Sequence, residues 1–158
     1  MKTAIIYTSK HGTTARVAQM ISEGLGKNET ELFDLKKNKK IDPSPFEKII
    51  VGGSIHAGAI PKKLHSFLNK NQDILLKKSL GLFLCCMYEK EAWSQFNQVY
   101  PSELREHARS KKCVGGEFLF ENMNFIEKAM IKKIAGTKSS EHKLDEQKIK
   151  ELIEEMRA

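Results

Sequence analysis

The chain predicts an α/β domain: a doubly wound, five-stranded parallel sheet in the order 2-1-3-4-5, with helices on both faces. Two observations point there. Short β-rich apolar runs alternate with stretches of helical periodicity along the whole chain, the pattern of a parallel sheet built from crossover units. The first and third apolar runs are followed by the chain's turns richest in glycine and hydroxyl residues. In a sheet of this order, the crevice where strand order reverses lies between strands one and three, beyond their carboxyl ends.

Residues 2–8, with Ala4-Ile5-Ile6-Tyr7, read as a buried strand. Residues 13–26 read as a helix, with Val17, Ala18, Ile21 and Leu25 at helical spacing and Gly26 as its stop. Residues 30–35 alternate and form a second strand. Residues 38–45 are a loop with lysines and two prolines. Phe46 to Gly53 form a third strand around Ile49-Ile50-Val51. Pro61 suits the first position of a helix whose Leu64, Phe67 and Leu68 share one face. Residues 79–86 are a fourth strand. A helical stretch over 91–109 breaks near Pro101. Lys112 to Phe120 predict a fifth strand, and 124–134 a short helix. Residues 145–157 close the chain as a helix with Ile149, Leu152, Ile153 and Met156 on its apolar face.

Composition bounds the function. A length of 158 residues suits a single domain, 1–158, with one sizeable core. The net charge of +7 is carried mostly by scattered lysines and reads first as a solvated basic surface. No aromatics alternate with them as a nucleic-acid platform would need, so no nucleic-acid partner is expected. Three cysteines, two of them adjacent (Cys85 and Cys86), are too few for a disulfide framework. No CxxC pair exists, so no metal site is expected. The first apolar run is too short for a signal peptide, and none approaches a membrane span. Together these features predict a cytoplasmic protein with reduced thiols.

The segment Tyr7-Thr8-Ser9-Lys10-His11-Gly12-Thr13-Thr14 is the most informative. It places hydroxyls and a glycine in a strand-to-helix turn, where backbone N–H groups and the helix dipole favour a phosphate. Thr13 or Thr14 would also serve as an ordinary helix cap. There is no GxxxxGK[ST], no GxGxxG after strand one, no acidic pair at that strand's end and no cysteine opening the loop. A triphosphate P-loop, a classical dinucleotide fold, a phosphoacceptor domain and a cysteine phosphatase are therefore disfavoured. Neutral donors around one terminal phosphate remain, with Lys10 as the loop's one formal charge, and flavin mononucleotide (FMN) matches best.

Ser9-Lys10-His11-Gly12-Thr13-Thr14 resembles the [ST]-x-x-G-x-T phosphate turn of flavodoxins. Gly52-Gly53-Ser54-Ile55-His56-Ala57-Gly58 is similar to the second loop of the branch that includes the menaquinone-dependent protoporphyrinogen dehydrogenases. The resemblance implies a flavodoxin-like fold with FMN as cofactor. By position, Thr8, Ser9, Lys10, His11, Gly12, Thr13 and Thr14 would meet the phosphate, His11 through its backbone N–H. The ring would lie between Ser54, Ile55, His56, Ala57 and Gly58 on one side and Cys86, Met87 and Tyr88 on the other. A backbone group near Ala57 or Gly58 would face the flavin N5. The chain departs from the family in its basic charge, and Ala57 stands where the branch tends to place an aromatic. Stacking then falls to His56, Met87 or Tyr88.

Three functions fit. The first is an electron-transfer protein that cycles the flavin's redox states with a redox partner protein. The second is an oxidoreductase passing electrons from a porphyrinogen to a quinone. Its peripheral membrane contact would run through Phe118, Leu119, Phe120, Phe125 and Met130 beside Lys128, Lys132 and Lys133. The third is an interaction domain that keeps the fold without flavin. Cys85 and Cys86 read as small hydrophobes ending a strand.

Overall fold

The computed structural model describes residues 2–38, 40–55, 59–86, 89–118 and 141–158. Strands β1 (Thr3–Tyr7), β2 (Thr30–Asp34), β3 (Lys48–Ser54), β4 (Ser79–Cys85) and β5 (Ser110–Cys113) form one sheet in the order β2-β1-β3-β4-β5. Every neighbouring pair is parallel. This is the predicted topology.

Strand alternation divides the apolar residues between two cores. Ala4, Ile6, Ile49, Val51, Leu80 and Leu82 face helices α2 (Lys62–Leu75), α3 (Ala92–Val99) and α4 (Ser102–His107). Ile5, Ile50, Phe83 and Cys85 face α1 (Thr13–Leu25) and α5 (Glu146–Arg157). The predicted stripes supply the helical halves: Leu64, Phe67 and Leu68 of α2 in the first core, Val17, Ala18 and Ile21 of α1 and Ile149, Leu152 and Met156 of α5 in the second. Each fully buried Ile or Leu contributes roughly 1.5–3 kcal/mol. Tyr100 is fully buried, and its hydroxyl lies 2.6 Å from Phe83 O and 3.2 Å from Val51 O, tying the segment after α3 to the middle of the sheet.

Element ends follow local chemistry. Gly26, at φ 104°, ends α1, and its N–H donates to Ser22 O. Asp145 caps α5 by accepting the Lys148 N–H at 3.1 Å. Lys48 Nζ donates to Met156 O and Arg157 O at 2.7 and 3.1 Å, closing the other end of the same helix. Lys112 and Ser110 of β5 both reach the Glu155 carboxylate.

Three boundaries differ from expectation. Pro61 is the residue before α2, with extended backbone (φ −60°, ψ 125°), so the helix begins at Lys62. Phe46 belongs to the turn before β3, where its N–H donates to Pro43 O. The fifth strand is corrected most. The predicted run from Lys112 to Phe120 divides at Val114, whose N–H makes a bond to Leu84 O at 3.0 Å. At Gly115 (φ 75°) the chain turns out of the sheet. It continues as β6 (Gly115–Phe118), antiparallel to β7 (Glu141–Leu144). The Asp145 N–H then donates to Val114 O at 2.8 Å, so the excursion starts and ends at one point. The Gly115-Gly116 pair inside an otherwise β-rich run is the signal for this break. The predicted helix over 124–134, and all of the predicted membrane patch except Phe118, lie outside the described residues.

Candidate functional site

The carboxyl end of β1 begins the site. The Thr8 N–H donates to Gly52 O at 3.3 Å and the Leu35 N–H to Tyr7 O at 2.9 Å, so the loop leaves the sheet between β2 and β3. This is the crevice expected from the strand order. Burial, and then the charge of Asp34 beside it in register, push the Tyr7 phenol up in pKa.

Within the loop, the Gly12 N–H donates to Ser9 Oγ at 3.1 Å. Gly12 stands at the helix N-cap with φ 100° and ψ −14°, in left-handed backbone that glycine adopts without strain. Its carbonyl accepts the Arg16 N–H at 2.9 Å, starting α1. Neither Thr13 nor Thr14 is the cap, and no side chain caps the helix. The first turn of α1 carries no acidic residue. The positive end of the helix dipole and the leading N–H groups are therefore left for an anion to satisfy.

The loop's hydroxyls carry the sharpest signal. Thr8 and Thr14 are 3% and 1% exposed, and the Oγ1 of each is buried without a hydrogen-bond partner. A buried hydroxyl left unpaired costs roughly 1–3 kcal/mol. Two such costs beside one open helix N-terminus fit an anion with several acceptor oxygens. Thr13 is buried as well, Ser9 and His11 are half-buried, and Lys10 and Gly12 are exposed. Residues 8–12 form the loop between β1 and α1, Thr13 and Thr14 open the helix, and this set of donors fits a phosphate group.

The second and third loops are described in part. Ser54 ends β3 half-buried, and Ile55 packs on the first core. His56, Ala57 and Gly58 lie outside the described residues, as do Met87 and Tyr88. Gly52, read in sequence as part of the second loop's motif, has a packing role: a Cβ there would stand 1.9 Å from Phe83 Cζ. A Cβ at Gly53 would stand 2.5 Å from Leu64 Cδ2 and 3.6 Å from Thr8 Oγ1, so β3 passes directly beside the first loop. The Cys86 N–H donates to Gly115 O at 2.9 Å and its thiol to Gln95 Oε1 at 2.8 Å. Burial, then the neighbouring Cys86, push the Cys113 thiol up to about 12, which keeps it protonated at neutral pH. Trp93 packs on Phe96 with ring centroids 5.0 Å apart and stays half-exposed.

A further feature was not visible in the sequence. Loop residues after β2 and one side of α2 enclose a cleft of about 270 Å³, lined by lysines over an apolar floor. The helical spacing of Lys63, Phe67 and Lys70 is its one sequence signal.

Among the described residues, no helix is long and apolar enough to cross a membrane. Residues 4–145 match the Flavodoxin domain family. No sequence among curated proteins matches the chain. Among solved structures, the fold is similar to a short-chain flavodoxin associated with a non-canonical PDU bacterial microcompartment. The TM-score is 0.63 at 14% identity, over 99% of this chain and 97% of that one. It is similar to a flavodoxin from the domain Archaea, with TM-score 0.53 at 19% identity over 71% and 78% of the two chains. A third is the Fusobacterium nucleatum flavodoxin bound to flavin mononucleotide, with TM-score 0.50 at 17% identity over 71% and 70%.

Proposed function

We propose, from the premise that this chain belongs to the Flavodoxin domain family, that it binds FMN and serves as an electron carrier. The observation that carries the reading is the pair of buried, unpartnered hydroxyls of Thr8 and Thr14 beside an uncapped helix N-terminus. A phosphate oxygen gives each hydroxyl an acceptor, and the α1 dipole favours its charge. Ser9 holds Gly12 in place, and Gly12 turns the backbone so that its following N–H groups face the anion. Lys10 adds a cation, and Thr13 and the His11 backbone complete the set.

When bound, FMN supplies one- and two-electron redox chemistry, while the protein contributes orientation and electrostatics. By their place in the motifs, Ser54 and Ile55 would flank the ring on one side and Cys86 on the other. The Cys113 thiol is held protonated, and the Cys86 thiol donates to Gln95. A redox partner protein would exchange electrons with the carrier.

The similarity of Gly52–Gly58 to the porphyrinogen dehydrogenase branch, together with the +7 charge, favours a second reading. In it the bound flavin passes electrons from a porphyrinogen to a quinone at the membrane surface. Purified protein tests the first step: it should be yellow with flavin absorbance bands. Colourless protein that takes up no added FMN would leave a flavin-free interaction domain. Quinone-dependent oxidation of protoporphyrinogen separates the dehydrogenase from the carrier.

A further inference from the structure

We propose that the cleft between α2 and the loop after β2 is a second ligand site, taking a small amphipathic dianion: an apolar body of one or two rings bearing two carboxylate or phosphate groups. The inference does not depend on flavin binding. Lys40, Lys62, Lys63 and Lys70 line the cleft, and no carboxylate does. All four lysines are exposed residues, and Lys63 already spends its ammonium group on Lys36 O, which leaves Lys40, Lys62 and Lys70 to meet a ligand. Beneath them, Leu35 and Phe67 are buried and Ile41 is half-buried, giving an apolar floor.

The shape argues for a small ligand. The volume of about 270 Å³ lies just under the ordinary range for small-molecule sites, about 300–1,000 Å³. The α2 wall from Lys62 to Asn71 rises about 13 Å at 1.5 Å per residue, and Lys62 and Lys70 stand two turns apart on it. Two anionic groups on one rigid body can therefore meet two ammonium groups at once. An apolar body would cover the apolar floor.

The opposite wall is built in advance. Asp34 accepts the Lys36 N–H on its carboxylate at 2.9 Å, and its carbonyl accepts from the Lys37 and Asn38 N–H groups at 3.0 and 2.9 Å. Lys63 Nζ donates to Lys36 O at 3.3 Å, joining the two walls. Buried Asn71 donates its amide to Phe67 O at 3.0 Å, so the floor polar group is held in place. A preformed cleft loses little entropy on binding.

The test uses the full chain, with and without added FMN, titrated with naphthalene-2,6-dicarboxylate by calorimetry and by amide chemical shifts. Saturable one-to-one binding is expected, with shifts at Leu35, Ile41 and Phe67. 2-Naphthoate should bind roughly tenfold more weakly, one charged contact being lost, and inorganic phosphate should not saturate. The double variant Lys62→Gln, Lys70→Gln should bind the dicarboxylate at least about tenfold more weakly with unchanged flavin content. The Lys62→Arg, Lys70→Arg variant should retain binding. Equal binding by the glutamine variant, shifts confined to residues 8–14, or displacement of the dicarboxylate by FMN would overturn the proposal. So would binding of a glutamate-rich peptide where the dicarboxylate fails, which would make the cleft a protein-docking surface. Loss of flavin uptake in unaltered protein would instead count against the carrier reading and leave the cleft result standing.

Discussion

Replacing Thr14 with Val should move two properties in opposite directions. Thr14 is 1% exposed, and its Oγ1 has no partner. Valine has nearly the same shape, the same β-branching and a similar helix propensity. In flavin-depleted protein the substitution removes a desolvated hydroxyl that costs roughly 1–3 kcal/mol. Taking about 1 kcal/mol as the net gain, the melting temperature should rise by about 2–4 °C for a chain of this size. With FMN present, the proposed site would give the same hydroxyl a hydrogen bond to a charged phosphate, worth about 1.5–3 kcal/mol. Affinity should therefore fall roughly tenfold or more. Calorimetric melting of the flavin-depleted protein and FMN titration by quenching of flavin fluorescence measure the two effects separately. Lower melting with unchanged affinity would refute the reasoning, because the hydroxyl would then be serving the fold. Thr8→Val should behave with the same signs, and if both hydroxyls meet one phosphate, as proposed, the double variant should fall short of additivity.

Other outcomes follow from the same geometry. Tyr100→Phe removes the hydroxyl that reaches Phe83 O and Val51 O. It should destabilise the chain by about 1–3 kcal/mol in urea melts, with flavin content unchanged. Gly52→Ala places a Cβ 1.9 Å from Phe83 Cζ. It should cost about 1–3 kcal/mol or more in the same melts. Gly12→Ala strains the φ 100° turn and should weaken FMN binding in fluorescence titration more than it lowers the melting temperature. Cys113 gives a pH dependence of definite sign. Its folded pKa of about 12 lies above the ordinary thiol value of 9.0, so the unfolded chain loses its proton first. Stability is then full below pH 9 and falls as pH rises towards 12, with Tyr100, also raised by burial, adding to the loss above pH 10. Melting temperature followed from pH 8 to 11 checks it, and a Cys113→Ala variant should show a shallower decline.

The strand order, both cores and the first loop were legible in the amino-acid sequence, because each rests on local pattern. Ala4-Ile5-Ile6 and Ile49-Ile50-Val51 read as strands buried on both faces, and the stripes of α1, α2 and α5 lie where 3.6-residue periodicity puts them. The hydroxyl-rich strand-to-helix turn at Thr8–Thr14 was legible for a similar reason: a strand, a glycine and a helix start sit within a few residues of one another. Tertiary structure decided what depends on distant neighbours. It moved the helix cap from Thr13 or Thr14 to Gly12 and left the threonine hydroxyls without partners. It ended the fifth strand at Cys113, because the rung from Val114 to Leu84 and the return bond from Asp145 join residues 30 or more positions apart. It made Gly52 a packing position under Phe83, which no local motif could show. And it drew Lys40 against Lys62, Lys63 and Lys70 across one apolar floor. In sequence those charges are scattered; two packed elements bring them around one cleft, and charge acts on a ligand through distance in space rather than along the chain.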